Sequence, residues 1–64
     1  MRDSDVVTFV QYGRHRRARV IATHEGMTKP LLALRLLTKN GEGRTIKGYV
    51  AHKDDAERGA RYYE

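Results

Sequence analysis

The chain has no cysteine and no tryptophan, a single proline, Pro30, and a single serine, Ser4. Without cysteine there is no disulfide framework and no thiolate zinc site, and the usage fits a reducing compartment. No apolar run is long enough to span a membrane. The charged start Met1-Arg2-Asp3-Ser4-Asp5 lacks a signal-peptide core, so the expected setting is cytoplasmic. A lone serine in a terminal segment expected to be mobile cannot hold a base in hydrogen-bond reach, which excludes serine catalysis.

Other catalytic or metal-binding arrangements are weak as well. His15, His24 and His52 are scattered and lack paired ligand spacing. Asp54-Asp55 are neighbours, and neighbours on an extended chain point to opposite faces, so they read as a solvated acidic turn. Gly41-Glu42-Gly43 lacks the Gly-Lys-Ser/Thr ending of a phosphate loop and reads as a turn. No cofactor and no metal are expected, and the chain reads as a non-enzyme.

What the sequence does have is positive charge. Thirteen Lys and Arg against eight Asp and Glu give a net charge of +5 over 64 residues. Four arginines, Arg14, Arg16, Arg17 and Arg19, fall between positions 11 and 20 with no acid among them. The run leads into an alternating apolar pattern, so the charge is expected on a rigid strand. Such a face attracts polyanions: nucleic acid, an acidic protein surface or anionic lipid. The plain alternative is that these arginines solubilise a small domain.

The segments read mostly as strands. Residues 6–12 are rich in β-branched and aromatic side chains. Gly13-Arg14 is a candidate turn. Residues 17–23 form a second strand, with Ala18, Val20 and Ala22 on one face and Arg17, Arg19, Ile21 and Thr23 on the other. Residues 24–30 are a loop. Over 31–38, a strand would bury Leu32, Leu34 and Leu36. A short helix at 30–39 is the alternative, with Pro30 near its start and Gly41 past its end. Asn40-Gly41 predicts a hairpin leading to a fourth strand at 45–51, where Gly48 signals a bulge or bend. Residues 53–59 read as a polar turn or one helical turn, and 60–63 as a fifth strand.

The chain is therefore expected to be a single domain over 1–64, with mobile residues 1–5 and a short tail from about 53. Its fold class is mostly β, a small SH3-like antiparallel barrel of four to five strands. Closure avoids the exposed edges of an open sheet. A core this thin leaves room for a homodimer, since association adds burial that a small chain lacks.

A wider pattern runs through Val7, Phe9, Gly13, Arg17-Ala18, Val20-Ile21, Leu32, Leu34, Leu36 and Gly41. It closes with Val50, Asp54-Asp55, Gly59 and Tyr63-Glu64. This pattern resembles small accessory or structural proteins of tailed phages and prophages with an SH3-like barrel. The resemblance implies a phage part acting in the host cytoplasm and carries over no catalytic residue. Apart from Arg17, the arginine cluster is not part of it.

The expected binding residues are Arg14, Arg16, Arg17, Arg19 and Lys47, with Tyr12 and Tyr49 offering rings beside the charge. Guanidinium forks pair bidentately with phosphate, and aromatic rings among basic residues stack unpaired bases. The leading expectation is a non-catalytic module that contacts DNA or RNA phosphates, with no membrane partner. Its rival is a phage-type protein-interaction module, a virion assembly part or an inhibitor of a host protein, using the same side chains.

Overall fold

A computed structural model describes residues 5–64 and is all-β, with no helix among the described residues. Five strands form one antiparallel sheet: β1 (Val6–Gln11), β2 (Arg14–His24), β3 (Leu31–Thr38), β4 (Gly41–Thr45) and β5 (Tyr62–Tyr63). Their spatial order is β4-β3-β2-β1-β5. The mobility expected of 1–5, and Ser4 with it, falls outside the described residues except for Asp5. The Asp5 carbonyl accepts a hydrogen bond from the Val20 amide at 2.8 Å.

β1 and β2 pair without a break from Val6↔Arg19 to Gln11↔Arg14. The two residues between them, Tyr12 and Gly13, have φ of 53° and 74°. Two positive φ values in a two-residue loop mark a type I′ turn, whose twist matches the strands it joins. The turn thus lies one residue earlier than Gly13-Arg14, and β2 starts at Arg14.

β3 is a strand, which overturns the helix at 30–39. Leu32, Leu34 and Leu36 are all buried, at 0, 0 and 3% exposure. The period of two serves the packing, and β2 and β4 flank it and take up its backbone groups. Helical steps would spread the same leucines around an axis.

The β3–β4 hairpin turns at Lys39-Asn40, with Thr38 opposite Gly41. Asn40-Gly41 is therefore not the turn pair. The Thr38 hydroxyl decides it, donating to the Gly41 carbonyl at 3.1 Å and accepting from the Asn40 amide at 3.3 Å. The fourth strand also moves, from 45–51 to Gly41–Thr45. Beyond it Ile46 turns into the core and Gly48 bends the chain with φ 77°.

Two bulges shape the sheet. Val20 pairs Leu34 and Ala22 pairs Ala33, which leaves Ile21 as an extra residue. Ala22 then stands opposite Ala33 rather than an inward leucine, so it leaves the face of Ala18 and Val20. On the other side, Gly43 and Arg44 together oppose Leu36. Bulges bend a strand and re-aim side chains.

Residues 50–53 close the sheet into a small barrel. Val50 exchanges two backbone hydrogen bonds with Leu32, at 2.7 and 3.0 Å. Tyr63 donates to the Ala51 carbonyl and accepts from the Lys53 amide, both at 3.0 Å. The C-terminal stretch from 53 is thus a closing element that contains β5. Inside lies one core of Phe9, Ala18, Val20, the three leucines, Ile46, Val50 and Tyr63.

Candidate functional site

Strand alternation divides the arginine cluster. Arg14 and Arg16 fall on the side of β2 that carries Ala18 and Val20, while Arg17 and Arg19 face the other way. The core ends near Phe9, Ala18 and Leu36, and Phe9 is the register partner of Arg16. Arg14 and Arg16 therefore continue the inward face past the end of the core, at the mouth of the barrel. They do not form one surface with Arg17 and Arg19.

At that mouth is a concavity of about 390 Å³. Phe9 and Leu36 line its apolar part, and Arg14, Arg16 and Arg44 line its charged part with Gln11 and Tyr12. The bulge opposite Leu36 accounts for Arg44, because the extra residue breaks the alternation of β4. A second depression, of about 230 Å³, shares Gln11 and Arg44 and adds Lys47 and Arg61. Five cations from three parts of the chain thus follow one seam between the β1–β2 hairpin and β4.

Among the described residues no acid lines either depression. Among the described residues Arg14, Arg16, Arg44, Lys47 and Arg61 form no ion pair. Arg61 is instead fixed by the backbone, its Nη2 donating to the Lys47 carbonyl at 2.6 Å and the Tyr49 carbonyl at 3.4 Å. The bend at Gly48 brings that carbonyl pair to it, since a Cβ there would stand 3.3 Å from Arg61 Nη2. Repulsion among these cations is tolerable because water screens them at an exposed rim.

The opposite face is electrostatically different. Glu42 takes Arg19 at 2.8 Å through one carboxylate oxygen and Arg35 at 3.0 Å through the other. Arg35 also donates to the Thr45 hydroxyl at 3.2 Å. Arg19 is therefore half neutralised, and Arg17 stands exposed beside this network.

Tyr12 and Tyr49 are likewise separated. Tyr12 is 93% exposed at the tip of the hairpin, beside the first depression. Tyr49 leans on His24, with ring centroids 5.5 Å apart, and lines neither depression. A non-glycine residue in the left-handed region costs of order 1–3 kcal/mol, so the Tyr12 turn stores strain.

Arg44 and Arg61 were not legible as site residues. Gly43 inside a short strand is a signal for a bulge, but read as part of a turn it gave no hint of the re-aimed Arg44. For Arg61 no sequence signal existed, because only the closing segment brings it to Lys47.

Two other acids, Asp55 and Glu64, are occupied elsewhere. Asp55 accepts the Thr28 and Lys29 amides, both at 3.0 Å, so it anchors the β2–β3 loop rather than being merely solvated. Glu64 meets His15 at 3.6 Å and Lys53 at 3.7 Å. Among the described residues no group of three or more His, Asp or Glu is placed to hold a metal ion. No described helix is long and apolar enough to cross a membrane. No protein-family model matches the chain, and no curated protein or solved structure is significantly similar to it.

Proposed function

We propose that this domain is a non-catalytic module that binds nucleic acid at the mouth of its barrel. Arg14, Arg16, Arg44 and Lys47 contact phosphates there, and Arg61 adds charge at the end of the seam. The observation that carries this reading is the seam of five cations, lined by no acid among the described residues. Guanidinium groups pair bidentately with phosphate oxygens, and backbone phosphates supply the sequence-independent part of affinity. Arg17 and Arg19, on the other face, contribute only to the long-range field.

The test is fluorescence anisotropy with labelled oligonucleotides over a salt series. Four phosphate contacts predict a slope of log affinity against log salt near −2.8 for a single strand, at about 0.7 per contact, or near −3.6 for a duplex, at about 0.9. Arg14→Glu combined with Arg44→Glu removes binding while the β-type circular dichroism spectrum is retained. No binding of any oligonucleotide at about 50 mM salt, where phosphate contacts are strongest, rejects the proposal. Loss of an acidic protein partner in the same double variant would then identify the domain as a protein-interaction part.

A further inference from the structure

Resting on the nucleic-acid reading, we infer that the ligand is an unpaired strand and that one of its bases stacks on the ring of Tyr12. Three observations meet at this residue. Its side chain is 93% exposed, so it adds almost nothing to the core. Among the described residues its ring joins no aromatic pair and its hydroxyl makes no hydrogen bond. Its φ of 53° lies in the left-handed region, where asparagine or glycine is the low-strain choice for this turn. Folding would thus be served better by another residue, and an aromatic face held in water at a strained position points to a ligand.

The neighbourhood tells which ligand. Tyr12 lines the same concavity as Arg14, Arg16 and Arg44. A flat ring beside a phosphate-binding groove is the arrangement that holds single strands, because an unpaired base has a free π-face. In a duplex both faces of each base are covered by its neighbours, so the ring could meet only sugar or a base edge. The hairpin tip is held by the continuous β1–β2 ladder, so the ring is presented on a rigid support.

Asparagine separates folding from binding at this position. It relieves the turn, so Tyr12→Asn should raise the melting temperature by about 4–8 °C. It also removes the platform, so affinity for a single strand should fall roughly tenfold, within about 5- to 150-fold. The probes are oligothymidine and oligouridine of about ten nucleotides and a DNA duplex of equal length, each titrated at about 50 mM salt. The wild type should prefer the single strands. Tyr12→Asn should lose that preference and keep its duplex affinity, and Tyr12→Phe should bind single strands like the wild type. A difference between the two single strands would tell DNA from RNA as the tighter source of the same unpaired base. Equal affinity for duplex and single strand in the wild type overturns the inference and leaves the phosphate-binding reading intact. Unchanged single-strand affinity in Tyr12→Asn does the same. Absence of binding to all three probes overturns both.

Discussion

Tyr63 Oη donates a 2.6 Å hydrogen bond to the Pro30 carbonyl, joining the last strand to the residue just before β3. The phenol is 2% exposed overall and its ring meets the edge of His52 at 5.1 Å. Burial, with the Asp55 charge adding to it, raises the Tyr63 pKa above its ordinary value of 10.0. The neutral phenol is therefore the form the fold holds. Its contribution is complete below about pH 10, the value in the unfolded chain, and is lost as pH rises through the higher folded value.

Replacing this phenol tests that relationship. Tyr63→Phe should cost about 1 kcal/mol at neutral pH, the net worth of one hydrogen bond. In a domain of this size that is a fall in melting temperature of about 4–8 °C. The variant should also lose less stability than the wild type between about pH 10 and 11. Denaturant midpoints across that range check both parts.

The acid limb belongs to Asp55. The Lys29 amide above all, with Thr28 adding to it, holds the Asp55 carboxyl below its ordinary value of 3.8, against a smaller opposing effect of burial. A lowered folded pKa means that the stabilisation is present above the unfolded value and disappears as pH falls through the folded one. Asp55→Asn should be less stable than the wild type at neutral pH. It should also show a shallower loss of stability below about pH 4, read from urea midpoints.

The core prediction rests on Leu34, which is fully buried at the middle of β3. Leu34→Ala should cost roughly 2–5 kcal/mol. A small domain has a total stability in the same range at its low end, so the variant should be largely unfolded at room temperature. Thermal melts and the near-ultraviolet signal of the buried Tyr63 report this.

The division of the arginines predicts unequal effects of charge reversal. Arg14→Glu with Arg44→Glu acts inside the seam. Arg17→Glu with Arg19→Glu makes the same change in net charge on the opposite face, where Arg19 already serves Glu42. Oligonucleotide affinity should fall far more in the first pair. The second pair should lower affinity mainly through the long-range field, an effect that fades at about 0.15 M salt as screening shortens.

Much of the scaffold was legible in the chain. Alternation of Leu32, Leu34 and Leu36, and of Ala18 with Val20, assigned the strands and the buried face, because one side of a strand must leave water together. Bounds and turns were less legible. The Tyr12-Gly13 turn was hidden because tyrosine is not a turn residue, and Thr38 moved the second hairpin by bonding its own turn.

The charge density near positions 14–19 came from the sequence alone, but Arg16 and Arg17 go to opposite faces because β2 starts at Arg14 rather than at 17. The gathering of Arg14, Arg16, Arg44, Lys47 and Arg61 was decided by tertiary structure. It depends on one bulge in β4, on the bend at Gly48, and on the closure of residues 50–53 against Leu32 and Tyr63. These are pairings between distant parts of the chain. Their register follows from how the core fills and how every buried backbone group finds a partner, neither of which is written in any local run of residues.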